Sequence, residues 1–304
     1  MKEKEEEKVF PKVRFNWYPG HMVKTKKQII EDLKLIDVVV EILDARIPIS
    51  SRNPDIEQIT RKKDKLIVLN KYDLADEKQN NNWVAKFKKD GIEAVLVNSN
   101  NGDGINIAIK KIEEIYKSRQ EKYVNKGRIG KSIRVMIVGI PNVGKSSFIN
   151  RLTKKNSATV GNKPGVTKQK QWIRINQNIE LMDTPGVLWP KFESEEVALN
   201  LAYTGTIKED VLQTIEVGFS LLKKLIIDYL DNLVERYKLE KQEIEAMLGQ
   251  TELEENEKIL EIMHIIGRKR GAIISGGNVD EEKTAKIILE DFRNGKLGRI
   301  TLEI

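Results

Sequence analysis

The spacing of apolar residues predicts an α/β half that extends to about residue 190. Short, continuous apolar runs alternate there with polar stretches, as in a parallel sheet whose strands are buried on both faces. The predicted strands are Asp37–Asp44, Lys65–Leu69, Ala94–Val97, Arg134–Val138, Trp172–Ile175 and Ile179–Met182. The segments between them are predicted to be helical, so we expect a mostly parallel sheet with helices on both faces.

After residue 190 the apolar residues recur at intervals of three and four, which is the period of an amphipathic helix. One run from Val211 to Leu233 predicts a single long helix, a second helix lies around Ile259–Ile266, and Asp280 is a suitable N-cap for a third. The 304 residues therefore divide into a mobile tail at 1–13, an α/β domain at 14–190 and a small all-α domain at 191–304.

The net charge of +7 is unevenly distributed along the chain. Residues 1–190 contain 37 Lys and Arg against 23 Asp and Glu, whereas residues 191–304 contain 16 against 23. The basic half would attract polyanions such as nucleic acid, although lysines that only solubilise surface helices give the same balance. Cysteine is absent, and no apolar run approaches the roughly 20 residues of a membrane span. We expect a soluble, cytoplasmic monomer with no membrane partner.

Residues 139–146 match G-x-x-x-x-G-K-[ST], the pattern of a phosphate-binding loop. A predicted strand precedes them and a predicted helix follows, which is the context that the motif requires. Backbone N–H groups of such a loop form an anion site, Lys145 would reach the β- and γ-phosphates, and Ser146 would bind Mg²⁺. The predicted phosphate-binding residues here are Gly139, Pro141, Asn142, Val143, Gly144, Lys145, Ser146 and Ser147.

Residues 70–73 read N-K-x-D, the guanine-recognition motif of GTPases, at the end of another predicted strand. An ionised Asp73 can accept hydrogen bonds from N1–H and the 2-amino group of guanine, whereas adenine presents neither donor there. Asn70 can tie this loop to the phosphate loop, and the Lys71 stem can lie over the base. The predicted guanine-binding residues are Asn70, Lys71, Asp73, Asn98 and Ser99.

Two further GTPase elements follow the phosphate loop. Thr167 is the candidate switch threonine, with a hydroxyl or carbonyl for Mg²⁺. Residues 183–186 read D-x-x-G, in which Asp183 would hold Mg²⁺ through water and the Gly186 N–H would sense the γ-phosphate.

The order of these motifs is unusual. An ordinary GTPase has N-K-x-D and a Ser-Ala loop last, whereas here N-K-x-D and residues 98–100, with Asn100 in place of Ala, come first. Termini of compact domains often lie close together, so such a permutation can retain the core. The predicted fold is a circularly permuted P-loop GTPase domain of the α/β class, followed by a small all-α domain.

Four segments, together with the permuted order, resemble the YlqF/RbgA family of bacterial ribosome-assembly GTPases. The segments are Trp17–Met22, Asp44–Pro48, Asp183–Pro190 and Asp291–Arg299, so the similarity spans nearly the whole chain. The resemblance implies GTP hydrolysis coupled to late maturation of the large ribosomal subunit, with the subunit precursor and its rRNA as partners. It also implies a helical RNA-binding domain similar to the ANTAR type, and because residues 191–304 are acidic, contact would use a local patch.

Two other functions remain open on the sequence alone. The chain could be a protein-binding signalling switch with no RNA partner, or an RNA-binding scaffold in which the nucleotide is only structural. The basic stretch at 117–134 is as compatible with a solvated tether as with an RNA-phosphate contact.

The catalytic group and the use of K⁺ depend on the resemblance. Val187 and Leu188, which follow D-x-x-G, cannot hydrogen-bond a water molecule. The resemblance assigns catalysis to His21, whose alternative role is to cap the helix that follows it, while His264 lies in an apolar helical run and is expected to be structural. In several GTPases that are similar to this chain, an Asn at the position of Asn142 helps to coordinate K⁺; its alternative role is to shape the loop.

Overall fold

The structure, a computed structural model, describes residues 21–121, 132–154, 172–182, 194–207 and 211–304. The described residues separate into two compact units, one of residues 21–182 with the C-terminal residues 299–304, and one of residues 194–298. The sequence grouped residues 299–304 with the helical domain, whereas they pack in the α/β unit.

Among the described residues, the α/β unit is built on one sheet of six strands. The strands are β1 (Val38–Asp44), β2 (Asp64–Asn70), β3 (Glu93–Val97), β4 (Ile133–Val138), β5 (Trp172–Arg174) and β6 (Ile179–Met182), which confirms the predicted set. Their order across the sheet is β3-β2-β1-β4-β6-β5, and only the β5–β6 pair is antiparallel. The strand before the phosphate loop, β4, therefore pairs directly with β1, the first of the described strands, as the permuted order requires.

Helices cover both faces of the sheet, as the sequence predicts. They are α1 (His21–Leu33), α2 (Pro54–Thr60), α3 (Glu77–Lys89), α4 (Ile105–Glu121) and α5 (Lys145–Lys154). Because side chains alternate along a strand, β1 contributes buried side chains to both faces of the sheet. Val39 packs with α1 and α2 and Leu43 with α3, whereas Val40 lies on the opposite face with α4 and α5.

The second unit consists of helices among the described residues. They are α6 (Glu195–Tyr203), α7 (Val211–Asp228), α8 (Leu230–Tyr237), α9 (Lys241–Leu248), α10 (Glu255–Lys269) and α11 (Glu281–Arg293). At Gly218 of α7 a Cβ would lie 2.6 Å from the Cβ of Ala285, so α7 and α11 pack with little space between their backbones. Asp280 caps α11 by accepting from the Lys283 N–H at 2.9 Å, which confirms the predicted cap. None of the helices described is both long and apolar enough to cross a bilayer.

The single helix predicted from Val211 to Leu233 is wrong. The chain leaves the helical conformation at Tyr229, with φ −141° and ψ 37°, and α8 begins at the next residue. Asn232 of α8 donates to the Leu297 carbonyl at 2.8 Å, which fixes α8 against the end of this unit. Leu233 is nevertheless fully buried, because apolar periodicity reports which residues face a core and not whether the backbone is continuous.

Candidate nucleotide-binding site

The predicted phosphate and guanine motifs meet at the carboxyl ends of parallel strands. The loops that follow β2, β3 and β4 lie side by side there and enclose a cleft of about 330 Å³. Its lining residues are Asn70, Lys71, Asn98, Ser99, Asn100, Asn142, Gly144, Lys145, Ser146 and Ser147. Motifs that are far apart in the chain therefore face one cavity, of a size that suits a small-molecule ligand.

The phosphate loop is anchored at both ends by buried side chains. Ile140 and Val143 are 0% and 1% exposed, and the Lys145 ammonium donates to the Ile140 carbonyl at 3.0 Å. Gly144 has a φ of 97°, and a Cβ there would lie 2.2 Å from Nδ2 of Asn70. Glycine is therefore required at this position both by the backbone conformation and by the neighbouring loop.

The other phosphate-loop residues complete the turn into α5. Gly139 has a φ of 151°, and a Cβ there would lie 2.6 Å from the Ile42 carbonyl oxygen of β1. Asn142 is exposed and left-handed, with a φ of 62°, a conformation that Asn tolerates better than most residues. Pro141 and Ser147 are half-buried, and Ser146 is exposed in the first turn of α5, the end of a helix that favours an anion.

Asn70 joins the three loops through one buried amide. Its Nδ2 donates to the Val143 carbonyl of the phosphate loop at 2.7 Å. Its Oδ1 accepts from the Ser99 backbone N–H at 3.0 Å and from the Ser99 hydroxyl at 2.8 Å. These contacts use both the donor and the acceptor of the amide, so they fix the relative positions of the guanine motif and the phosphate loop.

A buried ionic cluster after β1 extends the site beyond the predicted residues. Asp44 is 2% exposed and accepts from Nε and Nη2 of Arg46 at 2.9 and 2.8 Å and from the Lys71 ammonium at 2.9 Å. Lys71 also donates to the Asn142 carbonyl at 2.8 Å. Burial acts to raise the pKa of Asp44, but Arg46 and Lys71 hold that pKa well below its usual range. An ionised Asp44 thus fixes Lys71 against the phosphate loop.

Asp73 lies in a short 3₁₀ turn, Tyr72–Leu74, and its side chain is exposed. Lys71, the residue before this turn, has a left-handed backbone with a φ of 59° and separates the turn from β2. The Tyr72 hydroxyl donates to the Asp103 carboxylate, and this hydrogen bond raises the pKa of Tyr72. The turn that carries Asp73 is therefore tied to the loop after β3.

The loop after β3 is shaped by Asn98 and held by Arg151 of α5. Oδ1 of Asn98 accepts from the backbone N–H groups of Asn100 and Asn101 at 2.9 and 3.2 Å. Nε of Arg151 donates to the Ser99 carbonyl at 3.3 Å, and Nη2 donates to the Asn100 carbonyl. Because α5 begins at Lys145, one rigid helix connects the phosphate loop with the predicted guanine O6 loop.

Four predicted site residues lie wholly or partly outside this description. Thr167, Asp183 and Gly186 are outside the described residues. His21 is the first residue of α1, and only its backbone is described.

A larger recess, of about 750 Å³, opens at the opposite end of the strands, where β2 and β3 begin. Among its lining residues, Arg52 and Lys65 both face the buried Glu41 of β1, at 3.7 and 3.1 Å. Lys63 donates to the Ile36 carbonyl at 2.7 Å. These cations are engaged within the fold. The smaller cleft is lined instead by motif residues that include Asn70, Lys71, Asn142 and Lys145, whereas Asp73 is not among its lining residues.

Comparison with known proteins identifies the family of this chain. Residues 134–264 match the family described as 50S ribosome-binding GTPase. The chain is 44% identical over 287 residues to Ribosome biogenesis GTPase A of Bacillus cereus, an alignment that covers 94% of this chain and 93% of that protein. It is 33% identical over 303 residues to Mitochondrial ribosome-associated GTPase 1 of Mus musculus, covering 94% and 89%.

A solved structure is similar over the same length. The crystal structure of GNP-bound YlqF from T. maritima matches with a TM-score of 0.59 and 27% identity, covering 92% of this chain and 97% of that one. The sequence similarity, the structural similarity and the permuted order of motifs agree, and the chain therefore belongs to the Ribosome biogenesis GTPase A (YlqF) family of GTPases.

Proposed function

We propose that this chain binds and hydrolyses GTP in the cleft, and that hydrolysis drives late maturation of a large ribosomal subunit precursor and release from it. The single observation that carries the nucleotide assignment is the Asn70 amide, which joins the guanine motif to the phosphate loop. The names of the Bacillus and mouse relatives support a ribosomal partner. The chain would act as a cytoplasmic monomer that the subunit stimulates.

On the guanine side, Asp73 would accept from N1–H and the 2-amino group of the base. Lys71, held by Asp44 and the Asn142 carbonyl, would lay its stem over the base. Asn98 and Ser99 would shape the loop that meets guanine O6, with Asn70 as the link to the phosphate side.

On the phosphate side, the anion would lie against the backbone N–H groups of residues 142–147 and the ammonium of Lys145. The exposed hydroxyl of Ser146 fits a magnesium ligand beside these phosphates, and Thr167 and Asp183 would complete the set. When bound, Mg²⁺ would neutralise the charge that develops between the β- and γ-phosphates. The Gly186 N–H would contact the γ-phosphate.

The helical unit, residues 194–298, would provide the rRNA contact. Arg268, Lys269 and Arg270 are exposed at the end of α10. Lys269 donates to the Lys238 carbonyl, and the Arg270 guanidinium lies 6.0 Å from the ring centroid of Tyr237, so both side chains have defined positions. A local basic patch of this kind can bind phosphate groups although the unit as a whole is acidic.

K⁺ at Asn142 is a testable part of the proposal. We expect faster hydrolysis in K⁺ than in Na⁺, because a cation beside the β- and γ-phosphates would stabilise developing negative charge. Asn142→Gly retains the left-handed backbone and removes the side chain, so it should abolish the difference between the salts while nucleotide affinity stays within about twofold. Asn142→Ala should lose the difference and also bind less tightly, because Ala is strained at a positive φ.

The measurement for Asn142 is single-turnover hydrolysis in the two salts, with affinity from fluorescent GDP. Equal rates in K⁺ and Na⁺ for the wild-type chain would exclude the ion. A K⁺ preference that persists in Asn142→Gly would leave Asn142 with the loop-shaping role alone.

Co-sedimentation with purified large-subunit precursors tests the cellular function. We expect association in the presence of a non-hydrolysable GTP analogue and dissociation in GDP, because the proposal couples hydrolysis to release. Equal association with the GTP analogue and with GDP would favour an RNA-binding scaffold. No association in either state would favour a protein-binding switch.

A further inference from the structure

The C-terminal residues 299–304, called the C-terminal strap below, bind two loops of the α/β unit. Ile300, Thr301 and Leu302 are 1%, 0% and 2% exposed, so the strap is part of the core of that unit and not a free tail. The loops that it contacts follow β1 and β2, at the carboxyl ends of the strands, where the cleft opens.

The first half of the strap holds the turn that carries Asp73. Nη2 of Arg299 donates to the Tyr72 carbonyl at 3.4 Å, and the Ile300 N–H donates to the Leu74 carbonyl at 2.9 Å. These two carbonyls belong to the residues immediately before and after Asp73. Three more contacts come from Arg299 and Thr301 and reach the residues that follow this turn, Ala75, Asp76 and Glu77.

The second half of the strap holds the loop after β1. The Glu303 carboxylate accepts from the backbone N–H groups of Ile49 and Ser50 at 2.5 and 2.8 Å, and from the Ser50 hydroxyl. The Glu303 carbonyl accepts from Nε1 of Trp83 at 2.9 Å, which fixes the strap backbone at this point. A carboxylate that collects three donors in this way defines the position of the loop.

That loop begins with the ionic cluster of the site. The Leu302 N–H donates to the Arg46 carbonyl at 2.8 Å, and the Ser51 hydroxyl accepts from the Asp44 N–H at 3.1 Å. Asp44 in turn holds Lys71, the residue before the turn of Asp73. The strap therefore reaches the guanine motif by two routes, through the Asp73 turn and through Asp44.

We infer that Arg299 and Glu303 are positioning residues for guanine recognition. Neither lines the cleft; each would act by fixing the backbone on which Asp73 and Lys71 are carried. The inference rests on the proposed function, because it assumes that Asp73 reads the base. It predicts a larger loss of affinity for the base than for the phosphates, because the phosphate loop is also held in the core by the buried side chains of Ile140 and Val143.

The test compares Glu303→Ala and Arg299→Ala with Ile304→Ala as the matched control, because the Ile304 side chain is 73% exposed. Dissociation constants are measured for GDP, inosine diphosphate and inorganic tripolyphosphate. Inosine lacks the 2-amino donor, so the dissociation constant of inosine diphosphate divided by that of GDP measures the alignment of Asp73. We expect each strap variant to weaken GDP binding about tenfold, on the order of one charged hydrogen bond, and to reduce that ratio. The tripolyphosphate constant should change much less than the GDP constant, and the control should match the wild type.

Two results would overturn the inference in a chain whose circular dichroism is native. One is an unchanged GDP constant and ratio in both strap variants. The other is an equal loss for GDP and tripolyphosphate, which would indicate a general structural role. If Glu303→Ala fails to fold, Arg299→Ala decides, because that side chain is 40% exposed. A wild-type chain that binds ADP as tightly as GDP would instead refute the proposed function itself.

Discussion

Asp73→Asn is expected to weaken GTP binding by about 10²- to 10⁴-fold and to improve binding of xanthosine triphosphate. The loss follows because the carboxylate would accept two hydrogen bonds from guanine, and each hydrogen bond to a charged group is worth about 1.5–3 kcal/mol. The gain follows because xanthine has a carbonyl in place of the 2-amino group, and the Asn amide can donate to it. The Asp73 side chain is exposed, so the substitution should leave the fold intact.

Competition between the two nucleotides for the wild-type and variant chains measures this exchange. Asp90→Asn is the matched control. Asp90 is exposed at the end of α3, so its substitution changes the charge by the same amount away from the cleft. A variant at Asp73 that still prefers GTP as strongly as the wild type would show that N-K-x-D does not read the base here.

His21→Ala should bind GTP with near-normal affinity and lose subunit-stimulated hydrolysis by about 10²- to 10⁴-fold, the usual contribution of a general acid or base. We propose the catalytic role for this residue because the family resemblance implies it and because the side chains of Val187 and Leu188, in the usual place, offer no hydrogen bond to water. The variant should also remain on the subunit longer, because hydrolysis triggers release in the proposed cycle.

Stimulated turnover and the lifetime on the subunit are measured together for His21→Ala. His264→Ala is the control, because the chain has only two histidines and His264 is committed to Glu281 of α11 at 3.0 Å. Stimulated turnover that survives in folded His21→Ala would mean that rRNA or backbone groups position the water.

The central strands were predictable because each is an almost uninterrupted apolar run. In β1 every residue is buried, and the neighbours β2 and β4 bury most of theirs, so the pattern identifies a central strand without further information. The break at Tyr229 was not predictable, because the apolar face of α7 continues into α8 and the kink leaves no trace in the spacing.

The candidate site was predictable where its residues form contiguous motifs, as at 70–73 and 139–146. The contacts that support those motifs come from single residues scattered along the chain, such as Arg151 and Glu303. An isolated Arg or Glu on a polar surface has the same local sequence as one that holds a loop, so only the fold distinguishes them. Asp44 and Arg46 are an intermediate case. An acidic and a basic residue at the end of an apolar strand indicate a functional loop, but this pair was recognised only as part of the segment that resembles the family.

The pairing of β1 with β4 has a consequence for the growing chain on the ribosome. Val38 of β1 pairs with Val135 of β4. At a translation rate of about 5–20 residues per second, one edge of β1 therefore stays unpaired for on the order of 5–20 seconds before β4 is synthesised. During that time β1, β2 and β3 can form a small sheet with an open edge, a target for wrong pairing and for chaperones. The base-recognition loops are thus synthesised before any phosphate-binding loop exists, and nucleotide cannot assist the folding of the first half of its own site.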